Sequence, residues 1–216
     1  KDLILAQSNP TLALLIRPEG VIIRITAKAS THSEAEKMIE VVEAQVKARV
    51  GEYIYAVDDE NMEKVVAKLL KDNCLTVACA ESCTGGMLAS RLTSISGSSM
   101  YIKGSIVTYS NEAKMKFLDV DKEILDTKGA VSPEVAKQMA EGVRKAVGSD
   151  IGVGITGIAG PTGGTDKKPV GLVYIAVAGK DNTVVKENIF SGDRARVRYR
   201  STQQALEMIR QYIKNK

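Results

Sequence analysis

Residues 78–86 read "ACAESCTGG" and set two nucleophilic side chains, Ser82 and Cys83, between an apolar run and a glycine pair. Glu81 and Thr84 flank them. The pattern fits a strand that turns into a helix with a nucleophile exposed at the turn. Gly85 and Gly86 let backbone approach a ligand closely, and a helix start offers free N–H groups that can hold an oxyanion. The same residues also fit plain helix capping by Ser82 or Thr84, and they are not the G-x-S-x-G elbow. A serine nucleophile needs a base for its proton. The one histidine, His32, falls in the first turn of a polar helical stretch, where a surface role is expected.

A base is available in "TYSNEAK", residues 108–114. With Tyr109 closing a strand and Asn111 capping the next helix, Lys114 takes the third helical position. There the helix dipole opposes its charge and lowers its pKa. An unperturbed lysine, near ~10.4, would stay protonated at neutral pH. Tyr109 is expected to relay the proton or hold the amine. A serine–lysine arrangement assisted by tyrosine is the chemistry left, with Cys83 as a rival nucleophile that needs the same base. The glycine-rich "GITGIAGPTGG", residues 154–164, exposes backbone N–H groups to anions or carbonyls but is neither a Walker loop nor a dinucleotide fingerprint. Thr156, beside Gly157, is placed to orient a ligand amide. Arg194, in "SGDR", suits bidentate phosphate binding.

Elements able to position these residues are legible around them. Residues 12–28 read as two strands about a turn at Pro18-Glu19-Gly20. A helix follows, with Thr31 and Glu34 as a capping box and Gly51 as its stop. "YIYAV", 53–57, reads as a strand that closes a small β-hairpin–helix–strand unit. Residues 60–72 form an amphipathic helix with Met62, Val65, Val66, Leu69 and Leu70 on one face, capped by Asp58-Asp59. The boundary between two units therefore lies near 57–60, giving domains 1–57 and 58–216. The second alternates strand and helix: "LTVACA", "GGMLASRLTSI", "GSIVTY", "NEAKMKFL", then a helix with Ser132 as N-cap and Pro133 at its first position. "DIGVGIT", "VGLVYIAVAG" and "TVVKENIF" are strands, the last two antiparallel across "KDN". A basic helix ends the chain. This is an α/β pattern: a three-layer α/β/α sandwich with a mixed sheet, preceded by a small α+β domain. Ser82, Tyr109 and Thr156 all follow strand ends, where open α/β sheets bind ligands.

Composition excludes other classes. The 216 residues are 44% apolar and 26% charged, as in ordinary globular proteins. No apolar run reaches the ~18 residues of a membrane helix, and "LALLI" lacks signal-peptide features. Cys74, Cys79 and Cys83 match no zinc spacing and read as reduced thiols of a cytoplasmic protein. Net charge is only +4, yet residues 180–216 carry nine Lys and Arg against four Asp and Glu. That fits a solvated helix face with ion-paired arginines, or an anion site for a phosphorylated small molecule. Nucleic acid fits poorly: Trp is absent, aromatic content is 4%, and residues 1–57 hold no GXXG loop. A chain that begins at Lys1 is expected to be part of something longer.

"AESCTGG", "YSNEAK", "GAVS", "TGIAGPTGG", "KPVG" and "FSGDR" follow one another in the order found in the CinA C-terminal domain family. Residues 60–216 resemble its nicotinamide-nucleotide amidohydrolase (NMN deamidase) domain. Residues 1–57 resemble the KH-like linker domain of longer CinA proteins. The domain that usually precedes it, similar to molybdopterin-binding domains and tied to a separate nucleotide pyrophosphatase function, is not in this sequence, so that second activity is not expected of it. The resemblance implies a hydrolase of pyridine nucleotide metabolism and NAD recycling that converts nicotinamide mononucleotide to nicotinate mononucleotide and ammonia, without metal or cofactor. It makes Ser82 the nucleophile and Lys114 with Tyr109 the base. Thr156, Gly157 and Arg194, with backbone donors over Cys83, Thr84, Gly85 and Gly86, would bind substrate. It also implies a cytoplasmic homodimer with neither membrane nor nucleic-acid partner. The alternative is a regulatory nucleotide-binding domain of the competence or damage-inducible type, in which Ser82 only caps a helix.

Overall fold

The computed structural model of this chain describes residues 2–5, 7–58 and 60–215. The chain divides into two compact units, residues 1–59 and 60–216.

In the first unit, helix α1 (Asp2–Leu5) precedes an antiparallel hairpin of β1 (Thr11–Arg17) and β2 (Gly20–Thr26). Its register runs from Thr11 opposite Thr26 to Arg17 opposite Gly20. Helix α2 (His32–Val50) starts where Thr31 accepts a hydrogen bond from Glu34 N–H, as the capping box predicts. His32 is exposed and pairs with Glu36 at 3.3 Å. One expectation fails. "YIYAV" forms no strand: Gly51–Tyr53 is a 3-10 turn whose closing N–H, from Ile54, is spent on Gly51 O instead of a ladder.

The second unit opens with α3 (Met62–Asp72), which buries Met62, Val66, Ala67 and Leu70. Its N-cap is Asn61, accepting from Lys64 N–H. The expected cap at Asp58-Asp59 is therefore displaced; Asp58 has a left-handed backbone, and Asp59 lies outside the described residues. Then come β3 (Val77–Glu81), α4 (Met87–Thr93), β4 (Ile102–Val107), α5 (Asn111–Leu118), α6 (Lys122–Lys128), α7 (Pro133–Val147), β5 (Ile151–Gly157), β6 (Leu172–Ala178), β7 (Thr183–Ile189) and α8 (Arg194–Lys214). Helix α6 was not expected. Asp121 caps it and Gly129 ends it, but seven residues give too little periodicity to register.

The five strands form one mixed sheet in the order β4-β3-β5-β6-β7. Strand β3 runs parallel to β4 and β5, while β6 and β7 return antiparallel. Helix α7 covers one face, with α5 and α6 beside it, and α8 with α3 and α4 covers the other. This is the expected three-layer α/β sandwich, and its central strands are buried on both faces.

The seating of α7 fixes the sheet's position. Val135, Ala136, Met139, Ala140 and Val143 form its buried stripe. Gly152 and Gly154 of β5 present no side chain there, so helix backbone comes down onto strand backbone. A Cβ at Gly154 would collide with Ala136 O and stand 2.7 Å from Ala140 N. We expect Gly154→Val to lower unfolding stability by about 3 kcal/mol through overpacking, read as a shifted urea midpoint at unchanged slope.

Candidate active site

The parallel strands β3, β4 and β5 end flush. Ser82 N–H donates to Ile155 O at 3.0 Å and Thr108 N–H to Glu81 O at 2.8 Å, extending the ladders one residue beyond β3. Chain leaving these three ends therefore converges on one edge. There a cleft of about 290 Å³ is lined by Ser82, Cys83, Tyr109, Asn111, Lys114, Thr156, Gly157, Thr162, Gly163 and Arg194, with Ala130–Val131 and Ile158–Gly160 between them.

The turn carrying Ser82 is built around Glu81, which sequence reasoning did not assign. Its side chain has no exposure. Oε2 accepts from Gly86 N–H at 3.0 Å and Leu88 N–H at 3.1 Å, and Oε1 from Ala89 N–H at 2.9 Å. The carboxylate thus satisfies the start of α4, which an anion or oxyanion would otherwise use. Gly85 N–H is spent on Ser82 O at 3.1 Å. To close so tightly the turn takes φ +60 at Gly85 and +92 at Gly86, a conformation that favours glycine. No backbone carbonyl among the described residues accepts from the N–H groups of Cys83 and Thr84. Of the expected donors 83–86, only Cys83 lines the cleft, so the candidate oxyanion donor narrows to its N–H. Thr84, Gly85 and Gly86 do not line the cleft. Thr84 is fully buried, its hydroxyl has no partner, and its carbonyl accepts from Arg198 Nη2 at 2.7 Å. These three residues build the turn.

Lys114 reaches Ser82. Its Nζ lies 3.3 Å from Ser82 Oγ and donates to Thr108 O at 2.8 Å, while the side chain is 1% exposed. Its pKa is lowered, but not for the reason read from sequence. Ser110, not Asn111, caps α5 by accepting from Ala113 N–H at 3.1 Å. Lys114 is then the fourth helical residue, where the dipole has weakened. Burial disfavours the ammonium and dominates, although Cys83 and Glu112 pull the other way. Asn111, freed from capping, lines the cleft instead.

The remaining groups fall as follows. Cys83 is 6% exposed, and burial pushes its thiol up to about 12. Tyr109 does not reach for Lys114. Its exposed hydroxyl accepts from Arg194 Nη2 at 3.0 Å, while Arg194 Nη1 donates to Gly160 O at 3.0 Å. Thr156 donates its hydroxyl to Ala130 O at 2.7 Å and lines the cleft. The arginines of "RARVRYR" are spent largely on backbone carbonyls: Arg194 on Gly160, Arg198 on Thr84, Arg200 on Ser191. Among the described residues no group of three His, Cys, Asp or Glu side chains is set as metal ligands would be, and no helix is long and apolar enough to cross a membrane.

Residues 59–213 match the family described as CinA C-terminal domain, and residues 1–56 match the damage-inducible protein CinA KH domain. A Moorella thermoacetica protein with a provisional competence-damage inducible name is 51% identical over 209 residues, 97% of this chain and 50% of that protein. A CinA-like protein of Dictyoglomus thermophilum is 47% identical over 215 residues, 100% of this chain and 52% of its own length. The chain spans about half the length of such curated relatives. Among solved structures, a competence/damage inducible protein of Agrobacterium tumefaciens is 39% identical with a TM-score of 0.66, covering 71% of this chain and 96% of that one. A CinA superfamily protein of Escherichia coli is 32% identical with a TM-score of 0.69, covering 76% and 98%.

Two stability measurements follow from this geometry. Glu81→Ala leaves three helix-start N–H groups without their acceptor and is expected to lower unfolding free energy by about 3 kcal/mol or more in denaturant titration. Lys114 acts through pH. Between its lowered folded pKa and the ordinary 10.5, the unfolded chain holds the extra proton, so this group makes stability rise with pH. Lys114→Met should flatten that rise. It is read as a difference from wild type, because the buried thiols of Cys79 and Cys83, raised above 9.0, pull stability down over the alkaline range.

Proposed function

The chain belongs to the CinA family, and on that premise we propose that its second unit hydrolyses the carboxamide of nicotinamide mononucleotide, with Ser82 as nucleophile and Lys114 as base. The observation that carries this reading is the buried Lys114 amine 3.3 Å from Ser82 Oγ. Burial favours the neutral amine, and the bond to Thr108 O fixes it so that its lone pair can face the serine hydroxyl.

Lys114 takes the proton of Ser82 as Oγ bonds to the amide carbon, and the carbonyl electrons move onto oxygen. The Cys83 N–H, at the cleft wall, holds that oxyanion. The protonated Lys114 hands its proton to the amide nitrogen, the C–N bond breaks, and ammonia leaves an ester on Ser82. Water, deprotonated by Lys114, then attacks the ester carbon, and nicotinate mononucleotide departs as Ser82 recovers its proton. Val131, Ile158 and Ala159 supply apolar surface for the pyridine ring, and Arg194 on the exposed rim supplies a cation for the phosphate. No metal or cofactor enters any step. Tyr109 contributes through Arg194 and the rim rather than as a partner of Lys114.

Ammonia release from nicotinamide mononucleotide, measured in chelator, tests the reading. Ser82→Ala should lose at least about 10³-fold in turnover while staying folded, and Cys83→Ala should keep most of it. A folded wild type without turnover points instead to a regulatory nucleotide-binding domain. The rate should fall on the acid side as Lys114 becomes protonated, and a profile flat from about pH 5 to 9 would remove Lys114 as the base.

A further inference from the structure

Segment 128–131, between α6 and α7, contributes Ala130 and Val131 to the cleft, and all four of its carbonyls are held by side chains. Gly129 O accepts from Ser132 Oγ at 3.0 Å and Ala130 O from Thr156 Oγ1 at 2.7 Å. The other two, Lys128 O and Val131 O, accept from one atom, Lys168 Nζ, at 2.5 and 2.7 Å. Ser132 and Thr156 belong to the helix and strand that flank the segment. Lys168 belongs to the glycine-rich loop between β5 and β6, which lines the same cleft through Ile158–Gly160, Thr162 and Gly163.

The loop is shaped to deliver that ammonium. Thr165 and Lys168 close a turn on each other: Thr165 N–H donates to Lys168 O at 2.8 Å, and Lys168 N–H donates to Thr165 O and Thr165 Oγ1 at 3.1 Å. At the receiving end, Gly129 has φ +77, and a Cβ there would stand 3.2 Å from Lys168 Nζ. Lys128 O is also the last carbonyl of α6, where a cation meets the negative end of the helix.

We propose that Lys168 is a positioning residue that clamps the glycine-rich loop to segment 128–131 and so sets the width of the substrate cleft. It lies outside the cleft lining and contacts none of Ser82, Lys114 or Arg194. Its effect is therefore on ground-state binding, not on the chemical step. The kinetic side of this inference rests on the amidohydrolase reading; the structural side does not.

The test uses the full chain with Lys168→Met, which keeps length and apolar stem but removes the charge, beside Lys168→Arg, which keeps a cation able to reach two carbonyls. Two charge-assisted bonds are lost in the methionine variant, so amide hydrogen exchange within 128–131 and 158–171 should quicken by about tenfold, with β3 and α7 unchanged. KM for nicotinamide mononucleotide should rise by about tenfold with kcat held within about twofold. Lys168→Arg should restore most of the protection and of KM. Unchanged exchange in both segments overturns the clamp, as does exchange that quickens uniformly through the unit. If wild type turns over no nicotinamide mononucleotide yet the two segments loosen in Lys168→Met, the clamp stands and the amidohydrolase reading falls.

Discussion

A carboxylate cannot stay fully buried without donors, and Glu81 sits at the end of a strand with no exposed residue. Its donors are the N–H groups of Gly86, Leu88 and Ala89. That one demand pulls the start of α4 back onto the strand it follows. Only four residues remain between Glu81 and Gly86, so the chain folds into a turn that two glycines close with positive φ. Ser82 and Cys83 are the residues caught in it. The serine is left within reach of Lys114, the cysteine thiol is driven into the interior, and the amides of Cys83 and Thr84 meet no backbone carbonyl among the described residues. The position of Ser82 is thus set by the carboxylate beside it.

Around that turn, long cations are used as braces. Arg91 of α4 pairs with Glu63 of α3 at 2.7 Å, donates to Thr202 and Gln203 of α8, and stacks on Tyr199 with 4.7 Å to the ring. Arg198 holds Thr84 O behind the nucleophile, and Arg194 spans from Gly160 to Tyr109. Lys114 holds Thr108 O, and Lys168 holds Lys128 O and Val131 O. Loops around an active site carry carbonyls that no ladder satisfies. Here long side chains bring charged donors to them and tie irregular backbone to the elements around it. Arg194, Arg198 and Arg200 of the basic tail are explained by this use.

These braces also differ in depth between Lys114 and Arg194. Ser82 follows β3, inside the sheet, and is half-buried, and Lys114 on α5 is buried beside it. Tyr109 and Arg194 lie on the exposed rim and hold only each other and one carbonyl. A ligand anion can compete for that rim contact without disturbing the pair beneath, whose geometry tolerates little displacement.

The sequence by itself determined the alternation of strand and helix in the second unit, the mixed sheet, the division into two units and the candidate pair Ser82 and Lys114. Those follow from local signals: apolar strands, capping residues such as Ser132 with Pro133, and chemistry that had no histidine to use. It pointed to Lys114 but gave the wrong cause, because a helix position is local whereas burial by packed neighbours is not. It missed the role of Glu81, although an acid closing the run "VACA" was a visible anomaly, because the donors that explain it arrive only when α4 folds back. It offered Tyr109 to Lys114, when the phenol goes to Arg194, 85 residues further along the chain. It marked "GAVS" and "KPVG" without saying that they meet. Their contact, between residues 37 and 40 apart, exists only once β5 and α7 have brought two loops to one edge. Propensity and pattern act over a few residues; only tertiary packing decides which distant donor satisfies which buried acceptor.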